Sequence, residues 1–399
     1  MKLIDRPQYL NQLKEIMGTP DIKIITGIRR AGKSKLLARF AEYVLSVNPS
    51  ANIIGIDLTK ISFEQLKEYH ALNSYIEDRY KDGAANYVMI DEVQLCAGFE
   101  LVINSLHSEE KYDIYITGSN AFLLSSDLAT LFTGRHMEIH VFPFSFKEFC
   151  TYYNDTEESL SDRLDRYIKL GGMSGSYPYR TDADKAKYVR EVYNTILIRD
   201  LVDKYRLGNA NTLKRVADYL MDNVSNISSS RNISNALSAN GHSTNHMTVG
   251  NYIEYLCEAF VFYKAGRYDV RGKTHLSSLC KYYLADTGIR MAELGKRNID
   301  WGRMLENIVF IELLRRGYDV YVGKLYQKEI DFVAMKGNDK IYIQVSDDIS
   351  AESTFRREVE PLLSIRDAYP KFVLARTWHE TSDFEGIQII DIARWLLAD

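Results

Sequence analysis

Eight consecutive residues, Gly27-Ile28-Arg29-Arg30-Ala31-Gly32-Lys33-Ser34, have the types and spacing to hold a polyphosphate. They fit the pattern G-x-x-x-x-G-K-[ST], in which the glycines let backbone N–H groups close around phosphate oxygens. Lys33 is long enough to reach the β- and γ-phosphates, and the Ser34 hydroxyl can ligate Mg²⁺. Lys35 follows in the first turn of the next segment. Arg29 and Arg30 lie inside the loop, directed at phosphate, at a partner's nucleotide or at solvent. A second pattern follows where Tyr87-Val88-Met89-Ile90 runs into Asp91-Glu92, with Asp91 58 residues after Lys33. Asp91 is placed to hold a Mg²⁺ shell. Glu92, one residue on, can orient and deprotonate an attacking water.

These residues need a particular scaffold. Ile22-Lys23-Ile24-Ile25-Thr26 reads as a buried strand leading into the loop. From Ser34 to Val47, Leu36, Leu37, Phe40, Val44 and Leu45 recur at helical spacing. Strand, glycine loop and helix are the context that the motif requires, and the helix N-terminus adds positive potential. Ile53 to Leu58 reads as a second strand, Phe63 to Tyr80 as a polar-faced helix, and Ile114 to Asn120 as a further strand with a polar end. By analogy with nucleotidases that carry such an acid pair, Thr117, Ser119 and Asn120 are candidate sensors of the γ-phosphate. A strand followed by a helix cap is the alternative. Arg135, after Thr133-Gly134, is either an arginine finger or a surface ion pair.

Together these segments, with Phe142-Pro143-Phe144-Ser145-Phe146-Lys147-Glu148-Phe149, resemble a family of prokaryotic AAA-type P-loop ATPases. In that family an N-terminal ATPase is fused to a C-terminal domain of unassigned function. The resemblance spans nearly the whole chain. It is related to the STAND class of signalling ATPases and implies a nucleotide-driven switch, with ATP and Mg²⁺ as cofactors.

Glu148 to Arg206 reads as a mostly helical lid, interrupted by Gly171-Gly172-Met173-Ser174-Gly175. That loop is either a hinge or an interhelix turn. Three helices are expected next: 212–223, 230–239, and one from Thr248 with Val249, Tyr252, Ile253, Leu256 and Phe260 on one face. A short hairpin, 259–263 with 266–269, completes a winged helix-turn-helix pattern. Residues 205–275 hold eight Lys/Arg against five Asp/Glu. Lys264, Arg267, Arg271 and Lys273 on the hairpin could grip DNA phosphates. The third helix argues the other way, since its outward face offers Asn251, Glu254, Tyr255 and Glu258 and no cation. Duplex DNA through the wing and a protein partner both stand as readings.

The last third resembles the restriction-endonuclease-like fold, with a helix from Gly302 to Arg316 and strands at 319–322, 329–334 and 341–346. Such nucleases use a helix Glu, a strand Asp, then Glu-x-Lys on the next strand. Glu306 and Asp331 match. Gln344 and Ser346 stand where the second acid and the Lys are expected, so the metal site is degenerate and cleavage is not expected. Glu329 or Lys324 could compensate only through space. Arg356 and Arg357 read as a solvated helix face, with DNA contact in a nuclease-like groove as the alternative.

The expected architecture is therefore α/β: a P-loop parallel sheet with helical lid (1–206), a winged helix-turn-helix (207–278) and a degenerate restriction-endonuclease-like domain (279–399). With 399 residues and a net charge of −4, no global basic field advertises nucleic acid. No apolar run is long enough to span a bilayer. Cys96, Cys150, Cys257 and Cys280 are scattered, without metal or disulfide spacing, so a reduced cytoplasmic setting is expected. An ATP hydrolase is the leading reading. An ATP-regulated nuclease and a nucleotide sensor docking a protein partner are the alternatives.

Overall fold

The structure is a computed structural model that describes residues 4–118, 132, 134–154, 157–295, 299–377, 379 and 381–398, without the side chains of 277 and 278. The chain divides into two compact units, Leu3–Val141 and Phe142–Asp399.

The first unit is built on five parallel strands: β1 (Ile22–Thr26), β2 (Asn52–Asp57), β3 (Asn86–Asp91), β4 (Tyr112–Thr117) and β5 (His136–His140), in the order β2-β3-β4-β1-β5. Parallel strands are covered on both faces, which is why β1 and β3 are buried at every position. Lys23, inside β1, is tolerated because its ammonium meets the Asp113 carboxylate at 2.6 Å. The core packs Ile22, Ile24, Ile54, Ile56, Val88, Ile90, Ile114 and Ile116 against Val102, Ile103 and Leu106. Among the described residues the sheet is accompanied by α1 (Pro7–Glu15), α2 (Lys33–Val47), α3 (Tyr69–Glu77) and α4 (Phe99–Ser108). α2 buries Leu36, Leu37, Phe40 and Val44 as its spacing predicts, whereas Leu45 faces solvent.

The helix expected over 63–80 is broken. A 3₁₀ turn (Ile61–Lys67) precedes α3, and Glu68 between them is extended (φ −106°, ψ 132°). Its carboxylate accepts the Ala71 N–H at 3.0 Å, so Glu68 is an N-cap and not a helix interior.

In the second unit the helices Phe146–Tyr152, Leu160–Leu170 and Asp182–Thr195, the last continued by a π-helical stretch Ile196–Val202, come first. Ser145 and Glu148 form a reciprocal capping box, the physical content of the S-F-K-E-F segment. These helices do not group with the ATPase sheet as the expected lid. The boundary falls at 141/142 instead of 206/207 because the aromatic rings of Phe146, Phe149, Tyr167 and Tyr177 pack together inside the second unit. The Gly171-Gly172 loop is locked to the same unit. Asp286 accepts from the Gly172 N–H (2.5 Å) and the Gly288 N–H (2.8 Å). A Cβ on Gly171 would lie 1.8 Å from Asp286 Oδ1, and one on Gly172 would lie 2.2 Å from the Phe144 carbonyl. The loop is a buried interhelix turn with no room to act as a hinge.

Three helices follow, Ala210–Asp222, Ser230–Ala239 and His246–Glu258, close to their expected bounds. The last buries Val249, Tyr252, Ile253 and Leu256. The hairpin differs from expectation. β6 (Phe262–Asp269) and β7 (Thr274–Leu284) are long antiparallel strands, and β6 also pairs in parallel with β8 (Asp319–Leu325). They extend a sheet completed by β9 (Lys328–Lys336), β10 (Asp339–Ser346), β11 (Lys371–Ala375), β12 (Thr381–Phe384) and β13 (Ile387–Asp391). The eight-strand order is β12-β13-β11-β10-β9-β8-β6-β7. The expected boundary at 278/279 therefore lies inside β7. Helices Trp301–Arg315 and Glu352–Leu363 pack on this sheet, the second through Val359 and Leu362.

Candidate functional site

The chemistry of the first unit collects at the C-terminal ends of its strands, where open parallel sheets bind ligands. Gly27 leaves β1 with φ 134°, and a Cβ there would lie 2.1 Å from the Val141 carbonyl oxygen, so only glycine fits. Gly32 (φ 102°) is the N-cap of α2. Between them Ile28 and Ala31 are core anchors, fully or almost fully buried, while Arg30 and Ser34 are exposed and Arg29 is half-buried. The variable positions of the motif thus divide into side chains that fix the loop and side chains that face outward. Lys33 is buried and folds back on the loop, donating to the carbonyls of Gly27 (2.7 Å) and Ile28 (3.3 Å). Lys35 is exposed one position beyond Ser34.

β4 lies between the loop strand β1 and the acid strand β3. It carries Thr117 opposite Ile25 and beside the end of β3. The buried Thr117 hydroxyl donates to Asp91 Oδ1 and accepts the Glu92 N–H at 3.2 Å. One hydroxyl therefore orients both acids. Glu92 adopts left-handed backbone angles (φ 55°, ψ 49°), a conformation that costs a non-glycine residue on the order of 1 kcal/mol. Its carboxylate accepts from Gln94 Nε2 at 2.6 Å. Ser34 and Asp91 each offer oxygen donors, the type that suits a hard cation such as Mg²⁺.

Two further residues reach this site that the sequence did not single out. Arg6, buried before α1, donates from Nη1 to the Ala31 carbonyl at 2.8 Å. His140 ends β5 beside the loop. Burial, and then the charge of Lys33, lower its pKa to about 3, so the imidazole is neutral at physiological pH. Thr26 Oγ1 lies 3.0 Å from His140 Nδ1 and donates to Glu138 Oε1 at 2.6 Å. No local motif marks either residue. Arg6 is 25 residues from its partner, and His140 arrives by strand pairing.

Arg135 is not brought to the site. It precedes β5, whose first residue pairs with Ile22, and its carbonyl accepts the Ile22 N–H at 2.9 Å. The loop lies at the other end of the same strands, about 20 Å away at ~3.3 Å per residue. A finger role within one chain is excluded by that distance. Asn120, Ser119 and Thr133 lie outside the described residues.

In the second unit Glu306 and Asp331 do come together, through a residue that the sequence reading passed over. The Lys281 ammonium lies 2.9 Å from Glu306 Oε1, 2.8 Å from Glu329 Oε1 and 3.8 Å from Asp331 Oδ1. The Tyr283 hydroxyl donates to Glu306 Oε1 at 2.7 Å. Burial raises the Glu306 pKa, and burial with the neighbouring Glu306 charge pushes Asp331 up to about 8. Burial opposes the charge on Lys281, but Glu306, Asp331 and Glu329 outweigh it and raise its pKa. Gln344 accepts from the Asp331 N–H (2.8 Å) and donates to Glu358 (2.9 Å), while Ser346 donates to the Asp348 carbonyl. Lys324 pairs with Glu329 in the β8–β9 register. Among the described residues, no group of three or more His, Cys, Asp or Glu is arranged to hold a metal.

On the hairpin, Lys264, Arg271 and Lys273 are exposed and Arg267 is half-buried. Arg271 also lies over the Tyr326 ring at 5.0 Å. The outward face of helix His246–Glu258 is partly covered. Tyr205 stacks on Tyr255 at 3.8 Å and donates to Glu258, leaving Asn251 and Glu254 exposed. Cys96, Cys150, Cys257 and Cys280 are free thiols. Among the described residues, no helix is long and apolar enough to cross a membrane.

Comparison with known proteins agrees with the first unit. A family profile described as AAA domain matches residues 19–150, and one described as a domain of unknown function (DUF8612) matches residues 161–300. An uncharacterised protein of Haemophilus influenzae is 38% identical over 402 residues, covering 99% of each chain. An uncharacterised protein of Methanocaldococcus jannaschii is 26% identical, covering 90% of this chain and 82% of that one. Among solved structures, a Walker-type ATPase of Pyrococcus abyssi matches with a TM-score of 0.45 and 16% identity, over 73% of this chain and 95% of that one.

Proposed function

We propose, for a chain that belongs to the same family as its Haemophilus influenzae relative and carries an AAA-type P-loop ATPase domain, that it is a Mg²⁺-dependent ATP hydrolase working as a nucleotide-driven switch. The observation that carries this reading is the Thr117 hydroxyl shared by Asp91 and Glu92 on the strand next to the phosphate loop. The backbone of Gly27 to Ser34 and the Lys33 ammonium would hold the phosphates of ATP. Ser34 and Asp91 would hold Mg²⁺, which supplies charge neutralisation at the transferring phosphoryl group. Glu92 would take the proton of the attacking water, with one carboxylate oxygen held by the Gln94 amide and the other open to the water. Thr117 would act as a sensor of the γ-phosphate through its contacts with Asp91 and Glu92. Any finger role for Arg135 would require a second subunit.

We read the three helices and the β6–β7 hairpin as a winged helix-turn-helix merged with a restriction-endonuclease-like sheet. Duplex DNA held at its phosphates by Lys264, Arg271 and Lys273 is the partner that the exposed cations of the hairpin favour. A protein partner is the alternative, supported by the Tyr205 cover over the third helix. The deciding experiment is steady-state ATP hydrolysis in Mg²⁺, with and without linear duplex DNA, for the wild type and Glu92→Gln. Hydrolysis lost in Glu92→Gln with ATP binding retained supports the assignment, and unchanged turnover removes Glu92 from its role. Stimulation by DNA would couple the hairpin to the ATPase. Slow turnover indifferent to DNA would favour a switch with a protein input.

A further inference from the structure

The carboxylate cluster of the second unit already contains a cation. Lys281 sits on β7 opposite Ala265, with its side chain almost fully buried. Its ammonium is within 2.9 Å of carboxylate oxygens on two different elements, the helix Trp301–Arg315 (Glu306) and β9 (Glu329). It is 3.8 Å from a third, Asp331. We infer that Lys281 is the resident cation of this cluster, standing where Glu306, Glu329 and Asp331 would otherwise hold a divalent metal ion.

Three observations carry this. The oxygens are already committed: Glu306 Oε1 accepts both Lys281 and Tyr283, and Asp331 Oδ2 accepts the Val345 N–H at 2.9 Å. The ammonium is enclosed, because Lys281 sits in a paired stretch of β7 opposite Ala265 and its side chain is 4% exposed. The positions that would complete a metal site are turned away, with Gln344 bonded to Glu358 and to the Asp331 backbone, and Ser346 to Asp348. A divalent ion beside this ammonium would meet like charge at about 4 Å. At an effective dielectric of 20 the repulsion between a doubly charged ion and the ammonium is worth on the order of a millionfold in affinity. The cluster is a tie that joins β7, the Glu306 helix and β9 by charge, in a sheet that cannot carry out metal-assisted phosphodiester hydrolysis. The same reasoning makes it a latent divalent-cation site, opened by removing one side chain.

Mn²⁺ binding to the full-length, nucleotide-free protein tests this, read by loss of the free-ion electron paramagnetic resonance signal. In the wild type, Asp331→Asn is expected to leave the Mn²⁺ titration unchanged; asparagine keeps an acceptor for the Val345 N–H. Lys281→Met is expected to gain one Mn²⁺ site, and Lys281→Met with Asp331→Asn to lose it again. Mn²⁺ binding by the wild type that Asp331→Asn abolishes would overturn the inference, as would a folded Lys281→Met protein that gains nothing. If Lys281→Met does not fold, Lys281→Gln replaces it, and the comparison in the unaltered lysine background stands alone.

Discussion

Thr117→Val isolates the hydroxyl that holds both acids. Valine keeps the shape of the side chain, so the loss is the hydrogen-bonding group and not volume. The hydroxyl makes two bonds in a fully buried position, one donated to the Asp91 carboxylate and one accepted from the Glu92 N–H. A bond to a charged group contributes about 1.5–3 kcal/mol and a neutral one about 1 kcal/mol. The sum is about 3 kcal/mol of stability in the first unit, or roughly 10 °C in the melting temperature of a domain this size. Catalysis should suffer separately. Without the hydroxyl, Asp91 and Glu92 lose their common reference point, and misplacement by about 1 Å costs on the order of 10²-fold in turnover. ATP affinity should fall much less, because the loop from Gly27 to Ser34 does not depend on this hydroxyl. The assays are thermal unfolding, with each unit's transition followed separately, and ATP turnover beside equilibrium binding of a fluorescent ATP analogue. A variant that melts within 1–2 °C of the wild type and turns over at the same rate would refute the argument that Thr117 organises the acid pair.

Three other outcomes follow from the geometry. Arg6→Ala should raise the Kd for ATP several-fold while leaving the turnover of saturated enzyme within about twofold, since Arg6 braces the loop at the Ala31 carbonyl; a fall in turnover at unchanged Kd would put Arg6 in the chemistry. Asp286, whose pKa burial raises to about 7, keeps its proton in the folded state when the unfolded chain has released it. Its contribution to stability is full below pH 4 and is lost as pH rises to 7, so Asp286→Asn should become progressively more stable relative to the wild type over that window in pH-dependent melts. Lys264→Ala with Lys273→Ala should weaken duplex binding and reduce the slope of log K against log salt by about 1.8; an absence of duplex binding by the wild type at low salt would favour a protein partner.

How much of this was legible in the chain depended on distance along it. The phosphate loop is a run of eight residues, so its glycines, Lys33 and Ser34 could be read directly. Asp91 and Glu92 were legible because an acid pair ending an apolar run has few other places to be. The cores of α2 and of the helix His246–Glu258 followed from spacing alone. What escaped was assembled by pairing between distant segments. Arg6 and His140 reach the loop from 25 residues before and over 100 residues after it. Lys281 meets Glu306, Glu329 and Asp331 only because β7 joins the same sheet, and nothing in Cys280-Lys281-Tyr282-Tyr283 announces a buried ammonium. The expected hairpin, 259–263 with 266–269, places its turn before Gly266, whereas β6 continues to Asp269 and turns at 270–273, its length supported by β8 pairing in parallel along it. The break at Glu68 was missed because a glutamate is as acceptable inside a helix as at its cap.

The Asp286 clasp also sets an order of events during synthesis. The first unit is complete once residue 141 has emerged, since all five of its strands precede that point. The turn at Gly171 and Gly172 is different, because its anchor lies 114 residues further on. At ~5–20 residues per second, that anchor arrives roughly 6–23 s after the glycines. During that interval the rings of Phe146, Phe149, Tyr167 and Tyr177 have neighbours but no lock, and their apolar surface is open to non-native partners. A chain stalled or truncated between 180 and 280 should therefore carry a finished ATPase domain and an unfinished, aggregation-prone helical segment.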